Sequence, residues 1–225
     1  MINIIKHPLV SSKLTKMRMK DTPSAEFAKT IHELASFMTY EVTKDLETSF
    51  IDIETPLAKT RGFKLKRDIV LVPILRAGLG LVEAFRSMIP EALVGHIGLY
   101  RNEKTLEPVE YYCKMPERIK NADVIILDPM LATGNSTNAA IKLLKKFEPK
   151  SIRVACVVSA PAGLETVQNY DKNIDIYTCS IDEKLNDTFS DERIISTPDS
   201  KIKLYIIPTN EEVMIARDTV RVAKI

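Results

Sequence analysis

Phe27, Ile31, Leu34, Met38 and Val42 recur at intervals of four, three, four and four residues. That spacing stacks them on one face and predicts an amphipathic helix in the first quarter of the chain. Thr22 and Pro23 read as its start: the threonine serves as N-cap, and the proline takes the first helical position, where an N–H would be unpaired anyway. From Ile69 onward the pattern changes to short, continuous apolar runs at Ile69–Val72, Leu93–Ile97, Val124–Leu127, Ile152–Val158, Ile174–Tyr177 and Leu204–Ile207. Amphipathic stretches at Leu79–Phe85, Ser136–Phe147 and Leu164–Tyr170 fall between them. Continuous rather than alternating runs predict strands buried on both faces, as in a parallel sheet with helices above and below. The expected fold class is α/β. No fixed-period repeat, Gly/Ser linker or long block of like charge interrupts it, so residues 1–225 read as a single domain.

Charge narrows the picture by exclusion. The 32 Lys+Arg against 30 Asp+Glu leave a formal charge of +2, too small to mark nucleic acid or a membrane as the main partner. No apolar run approaches the roughly 18–20 residues that span a bilayer. Met1–Pro8 lacks a basic stretch followed by a sustained apolar one, and Cys113, Cys156 and Cys179 form no C-x-x-C pair. A cytoplasmic protein with reduced thiols is expected. His7, His32 and His96 are scattered without metal spacing and read as structural, and Cys113 has no local base that would make it a nucleophile.

Chemistry concentrates in three segments. Val124–Leu127 is followed by Asp128, Pro129, Met130, Leu131, Ala132, Thr133, Gly134, Asn135 and Ser136, which is a strand ending in a carboxylate, a small-residue loop and a helix start. Small side chains let backbone N–H groups surround an anion, the helix N-terminus adds its dipole, and the Thr133 and Ser136 hydroxyls can donate. The arrangement suits a phosphate monoester, with Asp128 placed to accept from ribose hydroxyls; a plain strand-to-helix turn with capping residues is the competing reading. Val72–Gly80 also leaves an apolar strand and enters a helix, but Glu83 stands at the third glycine position of G-x-G-x-x-G, so the dinucleotide fingerprint fails. Arg76 is either an anion contact or a surface ion pair. Gly95–Tyr112 reads as a β-hairpin arm with a polar tip.

On these residues the chain resembles the type I phosphoribosyltransferases. Asp-Pro-Met-Leu-Ala-Thr-Gly from Asp128, and Pro-Ile-Leu-Arg-Ala-Gly-Leu-Gly from Pro73, are similar to the uracil phosphoribosyltransferase branch in particular. The N-terminal stretches His7–Val10, Lys13–Arg18 and Tyr40–Val42 resemble it too, so the likeness runs from about residue 7 to Asn186. The resemblance implies a parallel sheet flanked by helices, with a protruding arm and a small base-binding hood. It also implies transfer of phosphoribose from 5-phospho-α-D-ribose 1-diphosphate (PRPP) to uracil, giving UMP and diphosphate. Asp128 would hold the ribose hydroxyls, the loop through Ser136 the 5-phosphate, Arg76 the leaving diphosphate, and Arg101 on the arm its phosphates. Where most type I enzymes have a second acid, Pro129 stands here. Mg²⁺ is therefore expected to arrive with PRPP rather than in a protein cage. Asn135 occupies the place of a second glycine, and its tolerance of left-handed backbone is expected to preserve the loop.

The resemblance also implies a homodimer or higher homo-oligomer and a possible GTP effector. It departs at the end of the chain. The branch finishes with a glycine-rich segment that reads uracil's edge; this chain has an insertion from Asp187 to about Lys203, then Tyr205-Ile206-Ile207-Pro208 and a glycine-free run from Thr209 to Met214. Ile206 carries over from the uracil site, and Glu212 takes the acidic position if the segments align without a gap; Val213, Ile215 and Val220 fit a short packing helix equally well. Two alternatives remain open: a transferase for another base, and a non-catalytic PRPP or nucleotide sensor, of which an RNA-binding regulator is one form.

Overall fold

The computed structural model describes residues 1–102 and 108–182, together with two short strands at Arg193–Ile194 and Tyr205–Ile206. Met1–Asp182 forms one compact unit and Glu183–Ile225 a second. In the first, the strands are β1 (Ile2–Ile4), β2 (Thr48–Glu54), β3 (Lys59–Leu65), β4 (Ile69–Leu75), β5 (Leu93–Val94), β6 (His96–Arg101), β7 (Pro108–Lys114), β8 (Asp123–Leu127), β9 (Met130–Leu131), β10 (Ser151–Ser159) and β11 (Asp175–Ile181). The helices are α1 (Pro8–Arg18), α2 (Ser24–Thr43), α3 (Leu79–Met88), α4 (Asn135–Lys145) and α5 (Pro161–Tyr170). In the second unit, β12 (Arg193–Ile194) pairs antiparallel with β13 (Tyr205–Ile206).

The main sheet runs β1-β11-β10-β8-β4-β6-β7, with β5 on β4 and β9 on β10. Its pairings are parallel except for β6 with β7. The apolar runs explain it residue by residue, because side chains alternate faces along a strand. Ile69 and Leu71 of β4, Ile125 and Leu127 of β8, and Ala155 and Val157 of β10 face a core built with α1, α2 and α3. Val70 and Val72, Val124 and Ile126, and Val154 and Cys156 face the other core, closed by α4 and α5. Both faces are covered, as the continuous runs predicted.

Some expectations shift. Pro23, not Thr22, is the N-cap of α2, and no side chain caps it. The Thr22 hydroxyl instead donates to the Lys16 carbonyl at 2.6 Å, closing the end of α1. The predicted strand Leu93–Ile97 is two, β5 and β6, divided at Gly95, whose N–H continues the ladder by donating to the Leu71 carbonyl at 3.0 Å. The β2–β3 hairpin pairs outside the main sheet, its Phe50 and Phe63 rings tilted against each other with centroids 4.9 Å apart and exposed. Its sequence is too polar to have been read as a strand pair. No helix among the described residues is long and apolar enough to cross a membrane.

Candidate active site

The carboxyl ends of β8 and β4 lie side by side, Pro73 opposite Leu127, and each strand leaves the sheet into a loop rich in small residues. After Leu127 the Asp128 N–H donates to the Ala155 carbonyl at 3.1 Å, and the chain runs on through β9 before α4 begins. The loop is fastened from behind. Val157 and Val158 both donate to the Pro129 carbonyl at 3.1 Å, and Ala160 donates to the Leu131 carbonyl at 2.9 Å. Leu131 is 1% exposed and anchors the loop in the core, whereas Met130, Ala132, Thr133 and Asn135 are exposed.

Gly134 carries the turn with φ at +80°, and a Cβ there would lie 2.8 Å from the Gly163 carbonyl oxygen. Glycine is required on both counts. Asn135, expected to adopt left-handed backbone, does not: it is the first residue of α4, and the left-handed position is Gly134. The physical reason is register. The chain needs one αL residue to turn into the helix, and the single remaining glycine supplies it. Among the described residues, the N–H groups of Ala132, Thr133 and Gly134 donate to no protein acceptor, and they adjoin the unpaired N–H groups of the first turn of α4. A run of free donors at a helix N-terminus has the charge and geometry to receive an anion.

Asp128 completes one side. It has no cationic partner among the described residues, and the Met130 N–H donates to its carboxylate at a long 3.4 Å. Burial pushes its pKa up to about 6, against the weaker pull of that Met130 contact. A carboxylate left short of donors is poised to take them from a polyol. Arg76 sits exposed in the β4–α3 loop, just after a cis Leu75–Arg76 peptide, and no carboxylate pairs with it among the described residues. The surface ion pair considered for it is therefore not formed there. Gly78 seats that loop: its N–H donates to the Ile74 carbonyl at 2.9 Å, and a Cβ would come within 2.3 Å of the Leu127 carbonyl oxygen. The Arg76 loop thus packs on the strand end from which Asp128 emerges.

The arm is present as β6 and β7, with Arg101 at the end of β6 opposite Pro108; its tip, 103–107, lies outside the described residues. Ile206 lies on β13 opposite Arg193, and Glu212 lies outside the described residues. Two concavities of about 290 and 460 Å³ among the described residues share no residue with the Asp128–Ser136 or Arg76–Gly80 loops. Sequence reasoning missed Gly163 and Ala160. Their signal was present in the Ala160-Pro161-Ala162-Gly163 run, which starts α5 and lies against the phosphate-type loop.

A mainly parallel sheet flanked by helices on both faces, with a carboxylate, a free-donor loop and an arginine loop at one end, defines a type I phosphoribosyltransferase-like fold. The uracil phosphoribosyltransferase family model matches residues 4–191, and the chain belongs to that family. A uracil phosphoribosyltransferase of Ureaplasma urealyticum is 54% identical over 188 residues, covering 83% of this chain and 91% of that one. Another, of Malacoplasma penetrans, is 50% identical over 186 residues, covering 83% and 90%. A solved Aquifex aeolicus structure superposes with a TM-score of 0.78 at 38% identity, over 83% of this chain and 90% of that one. The family match stops at residue 191, short of Ile206 and Glu212.

Proposed function

We propose that this chain, residues 1–225 acting as one transferase domain, moves phosphoribose from PRPP to uracil and releases UMP and diphosphate. The observation that carries the reading is the run of free N–H donors at Ala132, Thr133 and Gly134 beside the unpaired carboxylate of Asp128. Together these offer what a 5-phosphate and the adjoining ribose hydroxyls require.

As the bond from ribose C1 to diphosphate lengthens, positive charge builds on the sugar and negative charge on the leaving group. Asp128 holds the ribose by accepting from its hydroxyls, and the loop Pro129–Ser136 holds the 5-phosphate through backbone N–H groups and the Thr133 and Ser136 hydroxyls. Arg76 neutralises the departing diphosphate, with Arg101 brought by the arm. Fixed donors of this kind act most strongly where charge develops in the transition state. An arm that covers PRPP also keeps water from competing with the base. Ile206 and Glu212 are the residues that resemblance assigns to uracil.

The donor set fits a magnesium ion carried on the substrate. Pro129 leaves Asp128 as the loop's one acid, and no group of three His, Cys, Asp or Glu side chains among the described residues could cage a metal. Mg²⁺ retains water and favours phosphate oxygens, and on the diphosphate it would supply charge neutralisation beside Arg76. Product formation with labelled PRPP and a panel of bases, with and without Mg²⁺, tests the proposal. UMP from uracil is the expected result. A different base as sole substrate would move the chain to a related transferase, a reading favoured by the glycine-free Thr209–Met214. PRPP binding without product from any base would make it a sensor.

A further inference from the structure

The phosphate-type loop does not hold its shape alone. Its back rests on the start of α5, and the contact is backbone on backbone in both directions. A Cβ on Gly163 would lie 2.6 Å from the Ala132 carbonyl oxygen and 2.7 Å from that of Leu131, while a Cβ on Gly134 would lie 2.8 Å from the Gly163 carbonyl oxygen. Separations under 3.0 Å are closed to real side chains, so both positions exclude any residue but glycine unless the loop moves. The Leu131 carbonyl also accepts from Ala160 at 2.9 Å, which ties the same peptide to the residue before α5.

The peptide planes convert this contact into function. The loop's peptide bonds are trans, so each N–H points opposite to the carbonyl of the same plane. With the Leu131 and Ala132 carbonyls turned onto Gly163, the N–H groups of Ala132 and Thr133 are turned away from α5, and these are two of the three free donors. The first turn of α4 is held to the same helix: the Asn138 side-chain amide donates to the Thr166 carbonyl at 3.2 Å.

We propose that Gly163 is a positioning residue for the phosphoribosyl end of the site, a backbone template on α5 that aims the Ala132 and Thr133 N–H groups at the bound phosphate. The inference rests on the transferase reading only for naming that anion as the 5-phosphate of PRPP. A positioning error of about 1 Å is enough to cost a site of this kind heavily.

The test compares Gly163→Ala with Leu164→Ala, the adjacent substitution in the buried core of α5. Calorimetry measures binding of PRPP and of inorganic phosphate without any base, and steady-state kinetics gives KM for each substrate. Gly163→Ala is expected to weaken both ligands at least tenfold and to raise KM for PRPP to match, with KM for uracil within twofold. Leu164→Ala is expected to melt earlier yet bind PRPP within twofold of the parent. Should Gly163→Ala fail to fold, Asn138→Ala, which cuts the α4–α5 hydrogen bond, is expected to weaken phosphate about threefold. Parental affinity in a folded Gly163→Ala or in Asn138→Ala, or an equal loss in Leu164→Ala, overturns the inference. A parent that binds PRPP but makes no UMP ends the transferase reading and leaves Gly163 judged by binding; a parent that binds neither PRPP nor phosphate overturns both.

Discussion

Strand β8 begins at one aspartate and is followed by another, and the chain treats the two in opposite ways. Asp123, at the amino end, is 4% exposed and saturated: the Arg67 Nε donates to it at 3.0 Å and the Ser151 hydroxyl at 2.6 Å. Asp128, at the carboxyl end, has the long contact from Met130 and no cation among the described residues. Buried charge costs free energy unless it is paired, so a fold selected for stability alone would treat both ends like the first. Among the described residues, the unpaired end is the one with free N–H donors and an Arg76 that no carboxylate meets. Incomplete pairing at that end is what the proposed site requires, a charged ligand supplying the missing partners.

Exchanging each aspartate for asparagine separates the two roles most sharply. Asp128→Asn is expected to reduce kcat/KM for PRPP roughly 30- to 1000-fold, the loss of about 2–4 kcal/mol of charge-assisted hydrogen bonding, while the fold persists. Asp123→Asn is expected to leave kcat/KM within twofold and to lower unfolding free energy by about 2–3 kcal/mol, since Arg67 retains Glu47. Denaturant melts beside kinetics read both. A loss of turnover in Asp123→Asn with unchanged stability would break the comparison.

Arg76→Ala comes next. Losing one donor to the developing diphosphate costs roughly 10²-fold in rate, about 3 kcal/mol. Competitive inhibition by diphosphate should weaken in parallel. Unchanged kinetics and inhibition would return Arg76 to the surface.

The two ends should also respond to pH with opposite sign. Asp128 is raised by burial from its ordinary 3.8 to about 6, so the folded state binds the proton more tightly than the unfolded chain. Its effect on stability is absent below about 4 and becomes fully unfavourable above about 6. Glu47, lowered to about 2 by hydrogen bonds from Arg67 and Lys66, is the reverse: it stabilises above its ordinary 4.5, and that contribution is lost as pH falls toward 2. Melting temperature without substrate, measured from pH 4 to 8 in the parent and in Asp128→Asn, isolates the first group. The variant should gain on the parent as pH rises through 5 and 6; parallel curves would place Asp128 in water.

What the sequence disclosed follows the range of the interactions. The Asp128–Ser136 and Arg76–Gly80 loops were legible because each is local, a strand, a turn and a helix start within about ten residues. The saturated end was not. Asp123 finds Arg67 56 positions back and Ser151 28 positions on, and no local pattern announces either. The same holds for Gly163, whose partners lie about 30 residues earlier in the loop, and for β1, a three-residue edge strand that pairs with β11 far along the chain. Continuous apolar runs gave the two-sided burial of the sheet but not its strand order.

The smallest expected effect concerns Asn135, where the sequence pattern and the structure disagree at the ligand end itself. Read as the replacement for a second glycine, Asn135 should take the left-handed position itself and so preserve the loop. In the structure Asn135 is the exposed first residue of α4, and Gly134, with φ at +80°, already makes the left-handed turn. Glycine at 135 then relieves no strain and adds backbone freedom to the unfolded chain, a cost of roughly 0.5–1 kcal/mol within a helix and less at its first position. Asn135→Gly is therefore expected to change KM for PRPP by less than twofold and to lower the melting temperature by about 1–3 °C, given that 1 kcal/mol shifts a domain of this size by roughly 2–4 °C. Gly134→Asn, the same two residue types exchanged one position earlier, meets the Gly163 carbonyl and should lose PRPP affinity at least tenfold. A gain of fivefold or more in affinity from Asn135→Gly would mean that the loop turns at 135, and that the free donors at Ala132 and Thr133 are not the ones that meet the phosphate.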